Sequence, residues 1–175
     1  LYDQASGGLE EKAENRMDIK IFRLFEDKTP LEVTTMIQAS ISGEVRRETL
    51  SPETLLGDSI PASISSPLPL KIDEKGEIKF EARPGLWNLE IKSVIEKSSE
   101  SEIKCPAPFG PEVWTFKPRP ELRSVKIEGG TPVDPVQTTM PEAWRGFASY
   151  MVKKDDGIAI KEIRRGSGSP TEGDL

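Results

Sequence analysis

The chain has 175 residues, enough for one medium domain or two small ones, and a globular chain of that size buries about 70% of its unfolded surface without a disulfide or metal staple. Its 24 Lys and Arg against 30 Asp and Glu leave a net charge of −6, which argues against a phosphate-binding surface spread over the whole protein and leaves room only for a local basic patch, so no nucleic-acid partner is expected. Histidine is absent, which removes the commonest transition-metal ligand and the usual general base, and the single Cys105 can neither close an intramolecular disulfide nor build a thiolate zinc site alone.

No apolar run approaches the roughly 18–20 residues of a membrane span, so direct membrane insertion of this segment is not expected. Leu1 is not an initiator Met, and the chain reads as an excised piece or a processed form. Residues 1–15 carry Gly7-Gly8 and a Glu/Lys run with few large apolar groups, the texture of a flexible tail. From Met17 the pattern changes: Met17, Ile19 and Ile21 alternate with polar residues before Phe22, Leu24 and Phe25, as in a half-buried strand meeting a bend. Leu31, Val33, Thr35, Ile37, Ala39 and Ile41 hold a period of two, the clearest strand signal in the chain. Ser42-Gly43 marks a turn or bulge, after which Val45 to Leu50 either pairs back as a hairpin or continues.

Ser51-Pro52-Glu53 opens a brief helical turn, and Ile60 to Pro69, rich in Ser and Pro, reads as an edge strand or extended loop. Leu68 to Ile72 and Ile78 to Ala82 flank an acidic turn ending in Gly76, and Arg83-Pro84-Gly85 turns the chain again before Trp87, Leu89 and Ile91. Residues 68–95 are therefore expected to form a three-stranded meander. Residues 96–104 read as a solvated loop, and the proline-punctuated run from Cys105 to Pro111 cannot sit in a central strand. Strands follow at Val113 to Phe116 and Leu122 to Ile127, then an irregular crossing from Thr131 to Pro141 and a helical turn near Trp144. Phe147 to Val152 and Ile158 to Ile163 form an expected last hairpin, and residues 166–175 a disordered Gly/Ser/Pro/Glu tail.

Roughly nine short strands with turn signals every 8–12 residues, and almost no helix, predict an all-β fold: a β-sandwich, immunoglobulin-like or jelly-roll-like, over residues 16–165. The rival division is two small β-domains cut within residues 96–111.

Chemistry-bearing patterns are sparse. A Ser-His-Asp or Cys-His arrangement is excluded without histidine, leaving Cys105 as a buried or idle thiol. The acid pairs Glu26-Asp27, Asp73-Glu74 and Asp155-Asp156 fall where the pattern demands turns, whereas glycosidase chemistry needs carboxylates facing one another across a sugar. No Asp-x-Asp-x-Asp run marks a calcium loop, no glycine pair precedes the Lys-Ser/Thr of a phosphate loop, and no cofactor is expected. Arg46-Arg47 and Arg164-Arg165 read as solubilising edge charges. Trp87 and Trp114 are in phase with apolar neighbours and read as core. Trp144 lies outside strand periodicity, near Tyr150. It either plugs the open end of the sandwich or, with Tyr150 exposed on a shared face, forms a platform for a sugar ring.

Ser66-Pro67-Leu68-Pro69, Arg83-Pro84-Gly85-Leu86-Trp87, Glu112-Val113-Trp114-Thr115-Phe116, Pro120-Glu121-Leu122-Arg123 and Val133-Asp134-Pro135 through Gln137-Thr138-Thr139 occur together. As a set, spanning about residues 20–165, they resemble a segment of very large envelope-associated proteins of Gram-negative bacteria to which no activity is assigned. The resemblance implies a periplasmic or otherwise extracytoplasmic domain of a longer, membrane-anchored chain, and carries over no site residues. The expected role is a non-catalytic interaction or spacer module whose partner is a protein or an adjacent domain of the parent chain. The alternative is a carbohydrate-binding module for an envelope glycan, with Trp144 and Tyr150 as its ligand-binding residues. An acid-dependent hydrolase using two of the carboxylates is the remote third reading.

Overall fold

The computed structural model describes residues 14–96, 102–119 and 123–165. Along them run β1 (Arg16–Glu26), β2 (Leu31–Ser42), β3 (Arg46–Leu50), β4 (Ser59–Ser65), β5 (Leu70–Ile72), β6 (Ile78–Ala82) and β7 (Gly85–Ile95). They continue with β8 (Glu102–Lys104), β9 (Glu112–Lys117), β10 (Arg123–Glu128), β11 (Thr131–Val133), β12 (Ala148–Val152) and β13 (Gly157–Arg165). The only helical pieces among the described residues are three single 3₁₀ turns, Pro52–Thr54, Pro135–Gln137 and Glu142–Trp144. The fold is all-β, as the strand spacing predicts. Tail residues 1–13 and 166–175 lie outside the described residues. Glu14 and Asn15 lie within them: the Glu14 carbonyl accepts from Ser42 Oγ at 3.0 Å, and Asn15 Oδ1 accepts from Glu44 N at 2.9 Å.

Seven strands form one large sheet in the order β11-β12-β9-β1-β2-β7-β4, with β1 and β9 parallel and the other pairs antiparallel. Two three-stranded sheets, β3-β6-β5 and β10-β13-β8, complete the structure. The period of two assigns faces. Odd-numbered residues of β1 point to the side packed against the small sheets, and even-numbered ones point to the opposite side. Ile21, Ile37, Ala39, Leu89 and Ile91 meet Leu50, Ile78 and Phe80 of the first small sheet, forming one core. Phe25, Val33, Ile95, Trp114 and Phe116 meet Ile103, Ile158 and Ile160 of the second, forming another. On the far face, Phe22, Leu24 and Met36 are covered by Met140 and Trp144 from the connection between β11 and β12.

This third layer explains the texture of β1. No bend follows Ile21. The strand runs unbroken to Glu26 in register with β2, and it changes from alternating to continuous burial where the far face is covered too. Two expected pairings are replaced, and the open alternative at Val45 to Leu50 is decided. β5 and β6 do form a hairpin, but Arg83-Pro84-Gly85 carries the chain out of that sheet, and β7 pairs with β2 and β4 instead. The last two strands likewise part company, β12 joining β9 in the large sheet and β13 joining β10 and β8. Val45 to Leu50 does not return along β2, since β3 pairs with β6. Among the described residues thirteen strands stand where nine or so are expected, because three-residue pieces such as β8 and β11, read as loop, have partners only in three dimensions. β4 is an edge strand of the large sheet, with Pro61 at a bulge, the first of the two alternatives its Ser/Pro composition leaves. Gly43, at φ +100°, makes the corner out of β2, where a Cβ would run into the Asn15 side chain.

Candidate functional site

Between the two cores the large sheet carries a band of buried polar side chains. Arg23, placed on β1 between Ile21 of one core and Phe25 of the other, is fully buried. Its Nε and Nη2 donate to Glu112 Oε1 and Oε2 at 2.7 and 3.0 Å, and its Nη1 donates to Thr35 Oγ1 at 3.0 Å and the Thr54 carbonyl at 2.9 Å. Trp114 Nε1 donates to the same Glu112 carboxylate at 2.9 Å. Planar bidentate pairing with extra hydrogen bonds is what makes burial of two charges tolerable. Arg23 and Glu112 are both sealed from solvent, so no substrate reaches them without disrupting the packing. This cluster was not legible in the sequence, because the partners lie 89 positions apart. The one available signal was an arginine inside an otherwise apolar run.

The other chemistry-bearing residues are engaged locally. Asp73 Oδ1 accepts from the N–H of Lys75 and of Glu77, at 2.9 Å each, and Asp73 Oδ2 lies 3.3 Å from Lys79 Nζ. Partial desolvation raises its pKa, but those donors together outweigh it and hold the carboxyl below the ordinary value. Glu26 lies within 4 Å of Lys28 and Lys117 (3.6 and 3.8 Å), and Asp156 accepts from Lys153 N in the turn before β13. Cys105 is buried, with its Sγ 3.8 Å from the Val152 carbonyl. Burial, reinforced by the Glu112 charge, pushes its thiol up to about 12, so it is protonated and unreactive near neutral pH. Among the described residues no cluster of three or more Cys, Asp or Glu could hold a metal ion.

Trp144 and Tyr150 are not brought together. Trp144 is 7% exposed and packs on the far face against Phe22, Leu24 and Met36. Tyr150 pairs across strands with Trp114, which places its side chain on the opposite face, edge-on to Phe116 at 6.0 Å between ring centroids. A shared platform is therefore absent. Tyr150 instead lines an apolar pocket of about 300 Å³ with Phe25, Phe116, Phe147, Ile127 and Ile160. Lys117 also lines it, with Nζ 5.8 Å from the centre of the Phe147 ring.

A larger groove, about 790 Å³, lies beside the first half of β1. β2 pairs with β1 along its whole length, but β9 pairs only from Phe22 onward. Among the described residues no strand covers the β9-side edge of Arg16 to Ile21. The groove is bounded by this edge, by Phe109 and Pro111 ahead of β9, and by Gln137 to Thr139, where Gln38 ties the connection down through the Thr139 carbonyl and hydroxyl. Phe109 is 39% exposed there. Alternation from Met17 to Ile21 signalled a half-exposed strand, but not that one of its edges lacks a neighbour.

No family model matches this chain, and no curated protein matches it.

Proposed function

We propose that this chain is a non-catalytic interaction module of a larger, extracytoplasmic bacterial envelope protein, and that its ligand is a protein segment. The observation that carries the reading is the edge of β1 that no strand among the described residues covers, beside an open groove, since unpaired strand amides and carbonyls favour main-chain pairing with another chain. The sealed Arg23–Glu112 pair, the protonated Cys105 thiol and the locally engaged acids add no exposed constellation suited to turnover.

The second reading, a glycan-binding module, draws on one observation: the aromatic pocket containing Tyr150 has a volume at the lower end of the small-ligand range. Intrinsic fluorescence separates the two readings. A titration with envelope glycans and peptidoglycan fragments gives no response under the first reading, while a pool of extended peptides gives a saturable one. A saturable glycan response abolished by Tyr150→Ala, with no response to peptides, overturns the protein-ligand reading.

A further inference from the structure

Resting on that reading, we infer that the groove beside β1 takes one extended peptide strand, laid antiparallel to residues 16–21, with an acidic residue opposite Lys20, a basic residue opposite Asp18, and apolar residues between. Three features define this occupant. The first is the lane itself. β9 enters beside β1 only at Phe22, so among the described residues the edge of the six residues before it faces a groove rather than a strand. Six residues of strand span about 20 Å, and main-chain hydrogen bonds along that length are the affinity term in strand addition. Antiparallel pairing is the slightly more stable direction.

The second feature is the face pattern. Met17 and Ile19 are only half-buried at the margin of the first core. A strand in the vacant lane extends that core when its residues on the same face are apolar. The third is charge. Asp18 and Lys20 are exposed on the other face, two residues apart on one strand. A neighbouring strand places its own alternate side chains about 5 Å from theirs, where opposite signs attract and like signs repel. Read from its N-terminus, an antiparallel ligand meets Ile21, Lys20, Ile19, Asp18 and Met17 in turn. Its pattern is therefore apolar-Glu-apolar-Lys-apolar. The β4 edge lacks these qualities, because Pro61 and the adjoining bulge interrupt its ladder.

The test is fluorescence anisotropy of the full chain with labelled seven-residue peptides carrying Val-Glu-Val-Lys-Val, the reversed-charge Val-Lys-Val-Glu-Val, and the first pattern with backbone N-methylation at odd or at even positions. The expected preference for Val-Glu-Val-Lys-Val over the reversed order is about fivefold. Asp18→Lys combined with Lys20→Asp, both on exposed side chains, is expected to invert it. Only one of the two N-methylated peptides is expected to lose binding, because alternate amides of a strand face the same neighbour. Equal affinity for both charge orders, an unchanged preference in the doubly substituted chain, or indifference to N-methylation overturns the inference. So does a dimer in sedimentation that the peptide fails to dissociate, since a second copy would then hold the edge. Peptides that bind with none of these signatures refute the β1 site while leaving the protein-ligand reading intact. Failure of every peptide, patterned or pooled, refutes both.

Discussion

Replacing Glu112 by Gln keeps the size of the side chain and removes its charge, leaving the Arg23 guanidinium in a fully buried site with no counter-ion. The carboxylate now accepts three hydrogen bonds, two from Arg23 and one from Trp114, and a neutral amide can satisfy only part of that set. Removing one partner of a buried pair costs about 3–5 kcal/mol. Against a total of about 5–15 kcal/mol for a domain, that is from about a fifth of the stability to all of it. At about 2–4 °C per kcal/mol for a chain of this size, the melting temperature falls by roughly 10 °C. Urea unfolding followed by tryptophan fluorescence measures this as a lower midpoint with an unchanged slope. The double replacement Arg23→Met with Glu112→Leu removes both charges, but it leaves the Trp114 N–H, the Thr35 hydroxyl and the Thr54 carbonyl without their present partners. It is expected to be more stable than Glu112→Gln, because no unpaired buried charge remains. A Glu112→Gln protein within about 1 kcal/mol of the parent, or a double variant no better than the single, refutes the account of this pair as a buried, mutually dependent unit.

Three further outcomes follow from buried groups. The folded Cys105 thiol stays protonated to about pH 12, whereas an unperturbed one ionises near 9.0, so below pH 9 it contributes no pH dependence and between those values ionisation favours the unfolded chain. Stability is expected to fall with rising pH in that window more steeply than in Cys105→Ala, and iodoacetamide at pH 8 is expected to label the thiol only after unfolding. The buried Thr54 hydroxyl has no hydrogen-bond partner, so Thr54→Val, measured by the same urea titration, is expected to stabilise by about 1 kcal/mol. Trp144→Ala opens a cavity over Phe22 and Met36, and calorimetry is expected to show a loss of about 3–5 kcal/mol. A loss under about 1 kcal/mol contradicts a packing role for this ring.

Much of the fold was legible. The alternation of Leu31 to Ile41 marks β2 and its buried face, and Ser/Pro composition limits Ile60 to Pro69 to an edge strand or a loop, of which β4 is the edge strand. The prolines between Cys105 and Pro111 exclude that run from the ladder. These signals are local: a side chain either points to the core or does not, and a proline either offers an N–H or does not. The candidate docking groove was half legible, since Met17, Ile19 and Ile21 show which side chains are buried but not which backbone edge is free.

The sequence by itself determined that the chain is all-β, where most strands begin and end, and which side chains face inward. Only the tertiary structure decided who sits beside whom. The turns at Gly43, at Arg83-Pro84-Gly85 and before Gly157 each separate consecutive strands into different sheets, though each reads locally like a hairpin connection. A period of two specifies a face and is silent on the neighbour, and pairing depends on burial summed over residues distant in the chain. For the same reason Arg23 found Glu112 across 89 positions, and the first half of β1 was left with an edge that no described strand covers.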